Sequence, residues 1–498
     1  MSDENTISKQ PLIRYVNRRQ MSWRAVEVER LIDEDHTARA IWTLIGRMDL
    51  SRFYQGIESS VEEGGRPAFD PQLLISLWVY AYSQAIGSAR EVARRCEYDP
   101  AFQWLTGLDE VNYHTLADFR VDKQKELDEL FTQVLASLSK EGLITLEQVM
   151  QDGTKIKALA STRSFHRQET IQGHLERARQ RVAEMGDPRN EDTSPKAKHA
   201  QARARREQQE RLERALEELQ KLQARKSGEK AKSDARVSTS DPEARVMKQS
   251  DGGLALSYNA QISTDAANGL ILEATVTQEA NDSAQLLPAV ERITDRLEKK
   301  PQQMVADGSY TTRDNIEKMA GQEIDFLGSM GREEMPSGTT TPNRIPPDAF
   351  LYQPETNRYV CPEGKLLRPQ GRFNNKKMKG LAAYRYEAKS SDCAACIRKP
   401  ECCPENRSRG RGLLRRVENP AIVAFREKMA SQEAQAQYRR RGRVVEFCHA
   451  WIKSKLGLRQ FHVRGMLKVA SELLWACLTY NLQQWIRLNK LQEVPADG

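Results

Sequence analysis

The sequence predicts an α+β protein in which a mixed sheet with flanking helices is joined to an all-helical N-terminal domain, a helical-hairpin insertion and a small Cys-rich insertion. Three observations predict this organisation. Residues 36–140 repeat short apolar stripes with helical spacing, and short β-type segments alternate with helical ones after residue 254. The stretches at 161–244 and 335–420 differ from both, since one is highly charged and the other holds most of the cysteines.

The composition is that of a polar, moderately basic chain. Of its 498 residues, 77 are Lys or Arg and 69 are Asp or Glu, so the formal net charge is +8. A positive excess favours binding to polyanions, although many chains with this balance bind none. No apolar run is long enough to cross a bilayer, and Met1–Gln20 lacks the apolar core of a signal peptide. We therefore expect a soluble, cytoplasmic protein with no membrane partner.

Residues 1–35 are polar and weakly patterned, and residues 36–140 are expected to form helices joined by tight turns. Asp70 and Asp99 each precede a proline, which is typical of a capping acid followed by the first helical residue, and Ser88 begins a capping box. Short helices of this kind resemble helix-turn-helix DNA readers, but an ordinary helical bundle has the same pattern.

Residues 161–244 are expected to form a charged helical hairpin or a short antiparallel coiled coil. Apolar residues recur about three and four positions apart in two stretches, which begin at Ile171 and Leu212 and are separated by a break at Gly186–Pro188. The basic residues here are matched by many Glu, so a solvated surface is a better explanation than a DNA-binding stripe.

The sheet is expected to come from residues 141–160 and 245–334. Asp152 and Asp307 are each expected to lie at the end of a strand, and each is followed by glycine. Carboxylates at the ends of strands can converge at one edge of a mixed sheet, and a neighbouring glycine leaves room for a metal ion or a phosphate. For either Asp alone, a turn before glycine is an equally simple explanation.

A third candidate carboxylate lies in the long helices expected at 421–490. Glu446 is in a strongly basic stretch. Residues at successive intervals of three or four positions should share one face of a helix, and here they are Arg439, Arg443, Glu446, His449 and Lys453. Neighbouring cations keep a carboxylate ionised, as a metal ligand must be, and they also suit a phosphate. Three hard oxygen donors suit Mg²⁺ or Mn²⁺, and a two-metal centre transfers a phosphoryl group directly. For Glu446 alone, a surface ion-pair helix is the simpler explanation.

Several short motifs follow one another along the chain: Gln151-Asp152-Gly-Thr-Lys155, Ser238–Lys248, Tyr258-Asn259-Ala-Gln261, Asn281-Asp282, Val305-Ala-Asp307-Gly-Ser-Tyr310, Tyr438–Lys453, Arg464-Gly465 and Asn481. In this order they resemble the DDE transposases of bacterial insertion sequences, and the resemblance covers most of the chain. It implies a ribonuclease-H-like core in which Asp152, Asp307 and Glu446 are the catalytic carboxylates and bind Mg²⁺ or Mn²⁺.

The resemblance also implies what the protein acts on. It predicts cleavage of double-stranded DNA at the terminal inverted repeats of an element and strand transfer into target DNA, by a homodimer or a larger assembly in the bacterial nucleoid. The helices at 36–140 are then the repeat-binding domain, with Arg120 contacting DNA. A nuclease with the same core but no strand transfer, or a non-catalytic domesticated DNA-binding protein, are the alternatives.

In the family signature, a Tyr, an Arg and a Lys accompany the catalytic Glu and contact DNA phosphates. The resemblance assigns Tyr438, Arg439, Arg443 and Lys453 to this group. One departure affects it: the family's arginine usually lies four residues before the glutamate, and this position is Gly442.

The segment 335–420 is expected to be a linker followed by a small zinc-ribbon-like insertion. Cys361 begins a Cys-Pro-Glu-Gly turn, Cys393 and Cys396 form a Cys-x-x-Cys pair, and Cys402 is the fourth expected ligand, with Cys403 as its alternative. In a cytosolic chain, such a cluster favours structural Zn²⁺ over disulfides, with free thiols as the other possibility. The basic residues around it are expected to grip flanking DNA; they are Lys376, Lys377, Lys379, Arg407, Arg409, Arg411, Arg415 and Arg416.

Overall fold

The computed structural model describes residues 19, 21, 25–55, 57, 67–184, 195–330, 345–373, 382–403, 410–417 and 419–492. Three expectations from the sequence fall outside these ranges: the break at Gly186–Pro188, the linker from 335 to 344, and basic residues Lys376, Lys377, Lys379, Arg407 and Arg409.

The helices of the described chain are α1 (Thr37–Gly46), α2 (Ser51–Tyr54), α3 (Pro71–Ser83), α4 (Ala89–Tyr98), α5 (Pro100–Thr106), α6 (Tyr113–Asp122), α7 (Gln124–Lys140), α8 (Gln168–Ala183), α9 (Pro195–Arg225), α10 (Glu229–Ser233), α11 (Leu286–Leu297), α12 (Arg313–Gly321), α13 (Ser390–Ala394), α14 (Lys399–Cys402), α15 (Pro420–Ala430), α16 (Gln432–Ala450) and α17 (Met466–Gln492). A π-helical turn, Trp451–Lys455, follows α16. Among these helices, none is both long and apolar enough to cross a membrane.

The strands of the described chain are β1 (Gln148–Lys157), β2 (Phe165–His166), β3 (Val237–Ser238), β4 (Arg245–Lys248), β5 (Leu254–Asp265), β6 (Ile271–Thr277), β7 (Gln303–Ala306), β8 (Asp325–Gly328), β9 (Leu351–Gln353), β10 (Arg358–Val360), β11 (Leu366–Phe373), β12 (Ala382–Ala388) and β13 (Gly412–Val417).

The N-terminal region is helical from α1 to α7, and its helices begin where capping residues predict. The side chain of Asp70 accepts a hydrogen bond from the backbone N–H of Gln72, and Asp99 caps α5 in the same way through Ala101. Ser88 accepts from the N–H of Glu91 at the start of α4. These bonds satisfy N–H groups that have no partner within the helix, so the predicted helix starts are confirmed.

The central sheet is mixed, as the sequence predicts. Its strand order is β4-β5-β1-β7-β8, and β6 also pairs with β5. β5 is antiparallel to β1, β4 and β6, whereas β1, β7 and β8 are parallel to one another. The chain passes from β1 to β5 and β6 through antiparallel pairs, and β7 and β8 then extend the sheet parallel to β1. With helices packed on this sheet, the arrangement is a ribonuclease-H-like core, so the predicted fold class is confirmed.

α17 joins the sheet to the N-terminal helices. It packs against β6 on one side and against α3, α6 and α7 on the other, and Leu473, Trp475 and Leu478 are fully buried. The Asn481 side-chain amide accepts a hydrogen bond from the backbone N–H of Ile271 and donates one to its carbonyl oxygen. Both backbone groups of Ile271 in β6 therefore have partners at this contact. The N-terminal helices and the sheet therefore share one hydrophobic core.

The charged insertion forms a helical hairpin with a core of its own. Ile171, Leu175 and Ala178 of α8 pack against Leu212 and Leu219 of α9. The predicted spacing therefore identifies the packed faces of both helices. Ion pairs such as that between Arg179 and Glu213 lie on the exposed sides of the hairpin.

The Cys-rich insertion forms a second, smaller sheet between β8 and α15. Its strands form an antiparallel meander in the order β13-β12-β11-β10-β9. Ile345, Phe350, Leu367, Tyr386 and Leu413 are buried in its small core. This segment is therefore a folded β unit.

A buried ion pair fastens the N-terminal helices to α17. Arg120 on α6 is 5 % exposed, and its guanidinium lies 3.7 Å from the fully buried carboxylate of Glu472. It also donates to the backbone oxygen of Gly87 at 2.5 Å and lies over the ring of Trp78. The resemblance assigns Arg120 to DNA contact, but in this structure its guanidinium is enclosed by protein. Its position is that of a structural residue.

Replacement of Arg120 by alanine should destabilise the protein by about 3 kcal/mol, because it leaves the charge of Glu472 buried with fewer partners. The free energy of unfolding in urea measures this loss. Arg52→Ala is the matched control, since Arg52 forms an exposed ion pair with Glu129, and it should cost less than about 1 kcal/mol. Equal losses in the two variants would contradict the assignment.

Candidate active site

The pairing of β1 with β7 brings Asp152 and Asp307 together. The two strands run in parallel from Gln148 opposite Gln303 to Gln151 opposite Ala306. The next residue of each segment is an aspartate: Asp152 is still within β1, and Asp307 directly follows the end of β7. The expectation that Asp152 ends its strand is wrong, because β1 continues to Lys157 by pairing with β5. The parallel pairing of β1 with β7 ends just before Asp152, with Gln151 opposite Ala306. The side chain of Asp152 therefore lies beside Asp307.

The electrostatic surroundings of Asp152 are set mainly by its burial. Burial, with smaller contributions from the charges of Asp307 and Asp282, raises its pKa to about 6. Arg441 on α16 acts in the opposite direction through an ion pair of 3.1 Å, and so does the N–H of Gly153. An additional positive charge close to such a carboxylate stabilises its ionised form.

Asp307 is held by the turn that follows β7. One of its oxygens accepts hydrogen bonds from the backbone N–H of Ser309 at 2.8 Å and from the Ser309 hydroxyl at 2.6 Å. The same hydroxyl lies 3.5 Å from Asp282. Ser309 therefore connects two acidic side chains of the site.

Glu446 lies on α16, the helix that packs against β1, β5 and β7. Val445 and Cys448 of this helix are buried against the sheet, whereas Glu446 is exposed and leans back over Gly442. In the described residues, no hydrogen bond or ion pair joins Glu446 to either aspartate. Arg441, which contacts Asp152, is five residues away, or about 7.5 Å along the helix axis.

The other residues assigned by the resemblance lie on different sides of α16. Tyr438 is half-buried against Met150 and Val305, while Arg439 and Arg443 are exposed. Lys453 lies in the π-helical turn after α16 and is half-buried.

Burial lowers the pKa of Lys453, and repulsion from Arg459 and Lys155 lowers it further. Lys453 therefore lies in a group of cations that extends from the π-helical turn to β1. π-Helical turns are frequent at functional sites.

Asp282 and its partners are the part of the site that the sequence analysis did not identify as functional. Asp282 lies in the loop before α11, which begins at Leu286. Its carboxylate is bound by Lys155, Asn259 and Gln261. Buried polar residues at alternate positions of β5 were a signal available in the sequence, because such side chains need polar partners.

Gly153 has a different role from the one expected. A Cβ atom at this position would lie 2.5 Å from the amide nitrogen of Gln261 and 2.7 Å from an oxygen of Asp282. Gly308 likewise faces the backbone oxygen of Ser329 at 3.0 Å. The space beside each glycine is filled by protein, so neither glycine leaves room for a ligand in this structure.

The Cys-rich sheet brings five thiols to one cavity, which is lined by Cys361, Cys393, Cys396, Cys402 and Cys403. Backbone N–H groups point at two of the sulfur atoms: that of Lys365 at Cys361 and that of Arg411 at Cys393, each at 3.3 Å. Burial raises the pKa of Cys402 to about 11.

The side chain of Arg411 points inwards and donates to the backbone oxygens of Cys402 and Ile345. Of the basic residues expected to grip DNA, this one is therefore structural.

Neither cluster forms a complete metal centre as it stands. Within the described ranges, no group of three or more His, Cys, Asp or Glu side chains is arranged to hold a metal ion. Asp152 and Asp307 are brought together, and the thiols share a cavity, but a third carboxylate or thiol is not in ligand position.

Two family models match the chain. One, described as a transposase DDE domain, matches residues 360–486, and the other, described as a transposase domain (DUF772), matches residues 26–122. The first range includes Glu446 and the thiol cluster, and the second includes Arg120. A comparison with curated proteins finds no match.

The mixed sheet and the helical N-terminal region are consistent with a ribonuclease-H-like transposase. One match is to a DDE domain and the other is to a second transposase domain, and together they support a DDE transposase of an insertion element.

Replacement of Asp152 by Asn should stabilise the metal-free protein at pH 7.5 by about 1–2 kcal/mol. The raised pKa means that the folded state prefers the protonated carboxyl, so this contribution to stability is present at low pH and is lost as the pH rises through about 6. A shift of about two pKa units corresponds to roughly 3 kcal/mol in the free energy of unfolding. The expected gain is smaller because Asp152 is partly exposed to solvent and because the substitution alters its contact with Arg441.

Urea unfolding in EDTA at pH 7.5 and pH 4 tests this prediction. The gain should vanish near pH 4, and Asp314→Asn, at an exposed site on α12, should change neither value. A less stable Asp152→Asn variant at pH 7.5 would contradict it.

Proposed function

We propose that this transposase cleaves DNA at the ends of its element and joins the freed 3′ ends to target DNA, with Asp152, Asp307 and Glu446 as its catalytic carboxylates. The observation that carries the proposal is the adjacency of Asp152 and Asp307 at the end of the parallel pairing. Glu446 completes the set from α16, the helix whose Arg441 already contacts Asp152.

The donor atoms fit Mg²⁺ or Mn²⁺. Carboxylate oxygens are the ligands that these ions prefer. Burial disfavours the ionised form of Asp152, and a divalent cation bound beside it would stabilise that form. A pair of such ions, when bound, activates the attacking oxygen and stabilises the leaving oxygen of a phosphodiester. Completion of the site requires the Glu446 side chain to turn from its exposed position towards the aspartates.

We assign the binding of DNA phosphates to basic side chains of α16, of the turn that follows it and of β1. Arg439 and Arg443 are exposed, and Lys453 is close enough to Lys155 for the charge of Lys155 to lower its pKa. We assign the four of them to the phosphates on either side of the reacting bond, since each phosphate contact adds affinity and orientation without reading sequence. Tyr438, a residue of α16, packs against Met150 and Val305 of the sheet and positions the helix there.

We assign recognition of the terminal repeats to the N-terminal helices. Short capped helices are the elements that enter a major groove in helix-turn-helix proteins. Two ends must be joined in one reaction, so a dimer or a larger assembly on double-stranded DNA is the proposed active form.

Asp307→Ala should abolish cleavage of a duplex that carries the element's terminal sequence, while binding to this duplex is retained. The variant removes a carboxylate needed for the chemistry and leaves the N-terminal helices intact. Cleavage in Mg²⁺ and binding in EDTA measure the two properties. Asp314→Ala is the control and should cleave normally; cleavage by Asp307→Ala would refute the assignment.

A strand-transfer assay separates the proposed reaction from that of a nuclease with the same core. Duplexes nicked in advance at the terminal 3′ end, incubated with supercoiled target DNA, should be joined to the target. Cleavage without joining would favour the nuclease, and binding without cleavage would favour a non-catalytic DNA-binding protein.

We also propose that the thiol cavity binds structural Zn²⁺ through Cys361, Cys393, Cys396 and Cys402. The support is the convergence of the thiols on one cavity and the two N–H groups directed at sulfur, which stabilise thiolate ligands. Cys403 lines the same cavity and is the alternative to Cys402.

The purified wild-type protein should therefore contain about one zinc ion per chain, since a four-thiolate site binds one Zn²⁺. Cys393→Ser should lose it, and unfolding should begin at a lower temperature. Metal analysis after extensive dialysis measures the zinc content. Cys96→Ala, which changes a buried thiol of α4, should keep its zinc; a zinc-free wild-type protein would exclude the site.

A further inference from the structure

The surroundings of Asp282 show how its carboxylate is used. One oxygen accepts hydrogen bonds from Asn259, from Gln261 at 2.7 Å and from Lys155 at 3.3 Å. The other oxygen is 3.3 Å from the same Lys155 ammonium and 3.5 Å from the Ser309 hydroxyl. A carboxylate has about four lone-pair positions. Asp282 therefore has little capacity left for a metal ion, although it lies among the acids of the site.

Asp282 is also held rigidly. The Gln261 side chain that donates to it accepts hydrogen bonds in turn from Gln151 at 3.0 Å and from Tyr310 at 2.5 Å. Gln151, Gln261 and Asn259 are each at most 1 % exposed. A buried network of this kind fixes the position of its members, because any movement leaves polar groups without partners.

The Lys155 ammonium is the member of this network that is exposed to solvent in part. It lies 3.3 Å from both oxygens of Asp282, and its side chain is 18 % exposed. Among the described residues, its recorded hydrogen bonds are to Asp282 alone, and an ammonium has three N–H donors. Lys155 is close enough to Lys453 to lower the pKa of that residue. A cation of β1 and a cation of the turn after α16 therefore lie near each other.

We propose that Asp282 is a positioning residue that holds Lys155 in place to bind a backbone phosphate of the DNA in the active site. Cations that repel one another are stabilised by an anion shared between them, and a phosphate is the anion that this protein's substrate carries. The space beside Gly153 lets Asp282 and Gln261 approach β1 closely enough to reach Lys155. This inference rests on the proposed function and deepens it.

Four variants test the proposal: Lys155→Met, Asp282→Asn, the double variant, and Lys157→Met as a matched control with an exposed lysine two residues further along β1. Under saturating terminal duplex, each single change should slow cleavage on the order of 100-fold, as loss of one charge-stabilising donor does elsewhere. The double variant should be no slower than Lys155→Met, since both changes remove one interaction. Lys157→Met should cleave at the wild-type rate.

Two further measurements distinguish positioning from a purely structural role or metal binding. Lys155→Met should reduce the slope of log affinity against log salt by about one, as expected for one lost phosphate contact. The Mg²⁺ concentration for half-maximal cleavage should not change in Asp282→Asn, and Lys155→Arg should recover part of the rate.

A several-fold higher Mg²⁺ requirement in Asp282→Asn, additive losses in the double variant, or normal cleavage by Lys155→Met would overturn the inference. If Asp282→Asn does not fold, the Lys155 variants still decide it. Asp307→Ala in the same assay separates the two levels of proposal: an inactive Asp307→Ala with a fully active Lys155→Met rejects only this inference, whereas an active Asp307→Ala rejects the proposed function.

Discussion

The parallel pairing of β1 with β7 is the constraint on which the candidate active site depends. A strand register determines which residues lie side by side, and a shift by one residue would turn Asp152 to the opposite face of the sheet. The pairing of Gln151 with Ala306 leaves the two aspartates as neighbours. Beyond this point β1 continues as a strand because it pairs with β5 as far as Lys157. This extension brings Lys155 to Asp282.

The helices hold this arrangement from both sides. α16 packs on the sheet and brings Arg441 to Asp152, while α17 buries its apolar face between β6 and the N-terminal helices. The buried pair of Arg120 and Glu472 lies at this second contact. Truncation of either partner of a buried pair is costly, so the pair ties the position of the N-terminal helices to that of the catalytic core.

The candidate site contains one carboxylate that is fixed by hydrogen bonds and one whose ionised form is destabilised by burial. Asp282 is surrounded by donors, whereas Asp152 is buried near two other acids with Arg441 as its principal counter-charge. Such an arrangement makes the metal-free protein less stable than it could be at neutral pH, which is a common cost of functional sites. The same cost favours the binding of cations.

The sequence alone predicted the fold class and the helix starts at Asp70, Ser88 and Asp99, because capping and strand patterns are local. The order of its motifs also singled out Asp152 and Asp307, which the pairing of β1 with β7 makes neighbours, and their catalytic role stays a prediction. It did not determine the role of Asp282, the use of Gly153, or the burial of Arg120. These depend on residues more than a hundred positions apart in the chain, such as Lys155 with Asp282 and Arg120 with Glu472. Only the tertiary structure decides such contacts, since whether a charged side chain meets DNA, metal or another residue depends on what packs around it.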